Sequence, residues 1–147
     1  MATFVPLISS GTTGPLGVLH LPRLWLKASL EARGKLDSRY PGAGQGYDQM
    51  TIDALGLKRD AVLAFIKEKR PTYPQFEAWV KAQPEVKLDE ASIQKHNSAV
   101  RGFIHDDETR KRVLDANGLP DDASAVKDAI HLNDLDSWQE FHADELK

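Results

Sequence analysis

There is no cysteine in the 147 residues. That removes disulfides, a thiol nucleophile and every cysteine metal site. Long apolar runs are missing too. No stretch of about 18 consecutive apolar residues occurs, so no membrane-spanning helix is expected. Residues 1–17 carry no charged side chain, and Pro6, Ser9, Ser10, Gly11 and Gly14 interrupt their apolar residues. A secretory leader needs a basic start and an unbroken apolar core, so cytoplasmic residence is expected. Excess basic charge is also absent. Nineteen Lys and Arg stand against 22 Asp and Glu, a net charge of −3, which gives no overall electrostatic pull toward nucleic acid. Beyond the N-terminal arm no segment alternates apolar and polar residues with period two, so strands are not expected.

What is present is a succession of helix starts and stops. After an extended arm over residues 1–17, residues 18–147 read as a single helical domain. Its first helix, residues 20–34, has Pro22 in the first turn and Gly34 as a stop. Asp48 is expected to cap a second helix ending at Leu55 and Gly56. A third runs over residues 58–69, with Val62, Leu63, Phe65 and Ile66 on its apolar face. Thr72 caps a fourth that ends near Pro84, and Asp89 a fifth reaching about His105. Asp106 or Asp107 caps a sixth stopped by Gly118. Pro120 and the Asp121-Asp122 pair are expected to start a seventh through Val126, Ala129 and Ile130, and a last helix covers residues 137–146. The fold class is therefore all-α: one compact domain of seven to eight short helices with an extended N-terminal arm. No repeat of about 20–50 residues is visible.

The first helix organises the rest. At about 100° per residue, Leu21, Leu24, Trp25, Ala28 and Ala32 share one broad arc, and Leu26 and Leu30 a second. Between them runs a strip of His20, Arg23, Lys27 and Glu31. A helix apolar on two sides is mostly buried, and two readings of the strip follow. Either it lines a cleft, where its charges must be paired or bound to something, or it is a wet face with Lys27 and Glu31 as an i,i+4 pair.

The glycine-rich loop Tyr40-Pro41-Gly42-Ala43-Gly44-Gln45-Gly46-Tyr47-Asp48 leads into the second helix. Free backbone donors at a helix start suit an anion, but the loop has neither the Gly-Lys-Ser/Thr of a Walker sequence nor a preceding strand. The other reading is that the glycines serve the turn alone. Folded over the first helix, the loop would place Tyr40, Tyr47 and Asp48 beside His20, Arg23 and Lys27, a pocket with cations for a carboxylate or phosphate. On the fifth helix His96 and Asn97 fall on the apolar stripe of Ile93, Val100, Phe103 and Ile104. They are either a satisfied core pair or part of a site. The histidines at 20, 96, 105, 131 and 142 show no metal-ligand spacing, so no metal and no cofactor is expected. No serine nucleophile elbow occurs.

Gly17-Val18-Leu19-His20-Leu21-Pro22-Arg23, Lys27-Ala28, Tyr40-Pro41-Gly42 with Asp48, Leu55-Gly56, Phe76 to Val80, and Lys95-His96-Asn97 together resemble a family of small bacterial proteins described as a domain of unknown function. The resemblance covers nearly the whole chain and implies a small bacterial single-domain protein. It carries no activity and no residue roles.

Three functions therefore stand as expectations. The first is binding of a small anionic ligand by His20, Arg23, Lys27, Tyr40, Tyr47, Asp48, His96 and Asn97. The second is an enzyme using Asp48, His20 or His96 as acid-base groups in the same pocket. The third is an interaction or structural module docking through the apolar arm, including a homo-oligomer through residues 1–17.

Overall fold

The computed structural model describes residues 2–147. The described residues form seven α-helices: α1 (Leu21–Ala32), α2 (Tyr47–Ala54), α3 (Arg59–Lys69), α4 (Tyr73–Ala82), α5 (Glu90–Gly102), α6 (Asp107–Ala116) and α7 (Ala129–Phe141). A π-helical turn, His142–Leu146, follows. Among the described residues there is no strand, only two isolated bridges. The all-α class and the helix order from α1 to α6 match the capping pattern. Thr72 makes a full capping box with Gln75, and Asp89 and Asp106 accept the backbone N–H three residues on.

Helix α1 is the hub. Its face of Leu21, Leu24 and Ala28 packs with Ile52 and Leu55 beside α2, Val62 and Ile66 of α3, and Phe76 and Val80 of α4. Trp25 is half-buried at the edge of this core and donates its indole N–H to the Pro71 carbonyl at 3.0 Å. Gly34 ends the helix in the left-handed region at φ 67°. There Lys35 N–H reaches back to Leu30 O at 2.8 Å, the closing bond that glycine at this place permits. A second apolar cluster joins Leu19 and Tyr47 to Val100 of α5 and Ala129 of α7, and a third joins α6 to α7 through Val113, Leu114 and Leu132.

The N-terminal arm lies on its own domain. Phe4 pairs with residues 35–37 through Phe4 N–H to Lys35 O at 2.8 Å and Asp37 N–H to Phe4 O at 3.0 Å. Val5 and Ser10 are buried, while Phe4 and Leu7 stay exposed.

Four boundaries differ from expectation. Asp48 does not cap α2; Gly46 is the N-cap and Asp48 sits inside the first turn, because its carboxylate is drawn to the side chains of α1. Helix α5 stops at Gly102, leaving Phe103 and Ile104 outside it and exposed. Extended backbone at Phe103 lets its carbonyl accept Ala129 N–H at 2.9 Å. Residues 121–128 form no helix, since Asp122 instead closes a tight turn onto Ser124 N–H at 2.8 Å. The two last expected helices are thus one, α7, capped by Asp128, which accepts His131 N–H at 3.0 Å.

Leu21 is fully buried in the main cluster. Leu21→Ala should destabilise the protein by about 2–5 kcal/mol, read as a lower urea midpoint at unchanged slope.

Candidate functional site

The site begins at His20, the N-cap of α1, which adopts left-handed backbone at φ 73° and ψ −21°. That region is unfavourable for a residue with a Cβ, though histidine enters it more readily than most. The side chain fixes the conformation. His20 Nε2–H donates to Asp48 Oδ1 at 2.6 Å, and Nδ1 lies 2.9 Å from Ser10 Oγ, whose hydroxyl donates to it. The ring is 2% exposed. One turn on from Arg23, Lys27 donates to Asp48 Oδ2 at 2.6 Å. The Gly44 N–H donates to the same oxygen at 2.7 Å.

His20, Arg23 and Lys27 of the strip therefore face inward, and the wet-face reading is set aside for them. Lys27 is buried against Asp48 rather than paired with Glu31. Glu31 is exposed, and its carboxylate accepts Gly42 N–H at 2.8 Å. A Cβ at Gly42 would overlap that carboxylate, so glycine permits the close approach. Arg59 holds the other side of the loop through the Ala43 and Gly44 carbonyls. The loop is thus pinned over α1.

Protonation follows from burial and contact. Burial pushes the His20 imidazole below its ordinary 6.5, against the pull of Asp48, and nearby Lys27 and Arg23 push it the same way. Burial alone would raise the Asp48 carboxyl. The hydrogen bond from His20 and the hydrogen bond and charge of Lys27 outweigh it, holding Asp48 well below the usual carboxylate range. Lys27 is lowered by burial and supported by Asp48. The resting state is neutral His20 with a Lys27–Asp48 ion pair.

Arg23 is different. It is 5% exposed, yet its hydrogen bonds go only to neutral groups. Nη1 donates to Pro6 O and Ile8 O, both at 2.9 Å, and Nη2 to Ser137 Oγ at 3.3 Å. Its guanidinium carbon lies 5.8 Å from the centre of the Tyr40 ring. Nε and the second Nη2 hydrogen have no protein acceptor among the described residues. Tyr40 in turn donates its hydroxyl to Glu140 at 2.5 Å.

His20, Arg23, Lys27, Tyr40, Tyr47 and Asp48 line one cleft of about 280 Å³ together with Phe103, His105, Asn133 and Asp136, with the exposed Arg39 and Gln45 at its mouth. The start of α2 opens onto it with no side-chain cap, and its first intrahelical bond is Met50 N–H to Gly46 O. The N–H groups of Tyr47, Asp48 and Gln49 precede that bond. The Tyr47 hydroxyl is spent on the Val100 carbonyl at 2.6 Å, so Tyr47 offers the cleft its ring.

His96 and Asn97 do not belong to this cleft. Asn97 accepts Leu19 N–H at 3.0 Å and donates to Gly17 O at 2.8 Å, while His96 Nε2–H donates to Leu19 O at 3.0 Å. They are a core pair that aims the Gly17–Leu19 segment and so positions His20. His96 borders a separate groove of about 430 Å³ between α2 and α5, whose other polar groups are the surface side chains Asp53, Lys87, Ser92 and Lys95.

The residues that sequence reasoning missed lie on the arm and α7. Ser10 gave no signal. Ser137 and Glu140 are buried polar side chains on a helix, and the mixed stretch 133–140, with Leu135 and Trp138 in it, carried no local sign of them. Among the described residues no cluster of three or more His, Asp or Glu is placed to hold a metal ion, and no helix is long and apolar enough to cross a membrane.

Removing Asp48 strands a buried cation. Asp48→Ala should cost about 3–5 kcal/mol, and adding Lys27→Met should return part of it, both read from urea midpoints. A pH effect follows as well. Burial lowers both His20 and His96 from their ordinary 6.5, so below that pH the unfolded chain binds protons the folded one refuses. Stability should be full above pH 6.5 and fall as pH drops below it, with a shallower slope in His96→Gln, read from urea melts across pH 5–8. The Asp48 contribution should persist until pH falls below its unfolded value of 3.8. In comparisons with protein-family models, curated proteins and solved structures, nothing matches this chain.

Proposed function

We propose that the protein binds a small anionic molecule in the cleft beside α1. The observation that carries this reading is the Arg23 guanidinium: buried, bonded only to neutral acceptors, and bordering a concave space with donors to spare. With His20 neutral, the floor holds Arg23 and Lys27 against Asp48, a surplus of one positive charge. The uncapped start of α2 adds backbone donors and the positive end of its dipole. An arginine fork suits a carboxylate or phosphate.

Acid-base catalysis by Asp48, His20 or His96 has less support. Both oxygens of Asp48 and both nitrogens of His20 are already engaged within the protein, and His96 borders another groove. Docking through the arm rests on the exposed Phe4 and Leu7. Membership of the bacterial family rests on the motif resemblance alone, and cytoplasmic residence on the broken, uncharged character of residues 1–17.

Inorganic phosphate and acetate are the probes, titrated calorimetrically and by thermal shift, since binding to the folded state raises stability. Arg23→Lys keeps the charge but loses the fork, and should weaken phosphate binding about tenfold or more. It also touches the arm, so a second variant is needed. Gln45 is exposed at the mouth, and Gln45→Glu should weaken anion binding several-fold at unchanged melting temperature. Absence of binding by the wild type, or binding indifferent to both variants, would overturn the reading.

A further inference from the structure

The cleft is lined by charges of both signs. Its floor carries the positive surplus of Arg23. The side formed by α7 carries the opposite sign: Asp136 lines the space, near enough to act on the Arg23 charge, and Glu140 lies one turn further along α7. Arg39 is already shared among Asp37, Glu140 and Asp144 at 2.7, 3.7 and 2.6 Å, so it neutralises little of this charge. Asp136 has only the exposed Arg112 at 3.3 Å, a pair of small worth in water. Burial and the neighbouring Asp136 hold the Glu140 carboxyl above the usual carboxylate range, against the Tyr40 hydrogen bond and Arg39. Like charges crowded at one end of a cavity are relieved by a cation.

The neutral groups on that side are acceptors too. His105 Nε2–H donates to Asn133 Oδ1 at 2.8 Å, which leaves Nδ1 as a lone pair. It has no partner among the described residues. Tyr47 and Phe103 also line the space and form a tilted ring pair with centroids 5.4 Å apart, Tyr47 against His20 and Phe103 against His105. Phe103 is 38% exposed, so part of its surface remains for an apolar group to cover.

A ligand matching these groups has an anion, a hydrogen-bond-donating cation and a compact apolar part. Resting on the anion-binding reading above, we propose that the ligand is a small zwitterion of the α-amino-acid type. Its carboxylate meets Arg23 and the start of α2, its ammonium meets Asp136 and His105 Nδ1, and its side chain lies against Phe103 and Tyr47. A simple dianion is disfavoured because its second charge would face Asp136.

The test is calorimetric titration of the full chain with a panel of the common L-amino acids, inorganic phosphate, and, for the tightest amino acid, its analogue with the amine replaced by hydrogen. The amino acid should bind at least about tenfold more tightly than its deaminated analogue. Asp136→Asn removes an exposed pair with Arg112 and a like charge beside Glu140, and should fold normally. It should abolish that preference while keeping, or tightening, phosphate binding. Equal affinity for the amino acid and its deaminated analogue, or a preference unchanged in Asp136→Asn, overturns the inference. Phosphate binding sensitive to Gln45→Glu, without any amino acid binding, removes the zwitterion and leaves the anion reading standing. Loss of all binding removes both.

Discussion

The Asp48 carboxylate is the point on which the site is built. It accepts from the His20 ring, the Lys27 ammonium and the Gly44 N–H, three donors from three different stretches of chain. An isolated carboxylate in that environment would be expelled or neutralised. Three donors convert it into a fixed negative centre around which the start of α1, its second turn and the glycine loop must converge. The left-handed backbone at His20 is the local cost of this convergence, and the ring's two hydrogen bonds offset it. The same centre explains why α2 begins without a side-chain cap. The acidic residue best placed near its start is turned toward α1, and the helix N–H groups are left facing the cleft.

Most of the fold was legible in the sequence because it depends on local chemistry. Thr72, Asp89 and Asp106 bond backbone groups only three residues away, so a reader of sequence meets both partners in one window. The hub role of α1 was legible for a related reason: apolar residues on two sides of one helix leave few places for it but the middle. The charged strip was legible as a conflict, since charges hemmed in by apolar residues require a partner. What sequence could not supply was which partner.

The failures share a cause. Asp121 and Asp122 look like a helix start, but Asp121 is drawn to Arg110 and Asp122 to Ser124, and the cap that acts is Asp128. Phe103 and Ile104 continue the apolar period of α5, yet the backbone leaves the helix to bridge with residue 128. Ser10, Ser137 and Glu140 enter the site from the arm and the last helix, at separations no local pattern encodes. His96 and Asn97 were read as either core or site. Their bonds to Gly17 and Leu19 place them in the core, where they act on the cleft only by aiming the backbone that carries His20.

The bonds of Arg23 have a consequence beyond the cleft. One guanidinium joins the carbonyls of Pro6 and Ile8 to the hydroxyl of Ser137, so the beginning and the end of the chain are clasped through the middle of α1. Neither the arm nor α7 can peel away without leaving a buried cation short of acceptors. Fraying at either end is thereby coupled to opening of the hub. Slow amide exchange should extend outward from α1 into residues near both termini, which in most small domains are the first to open.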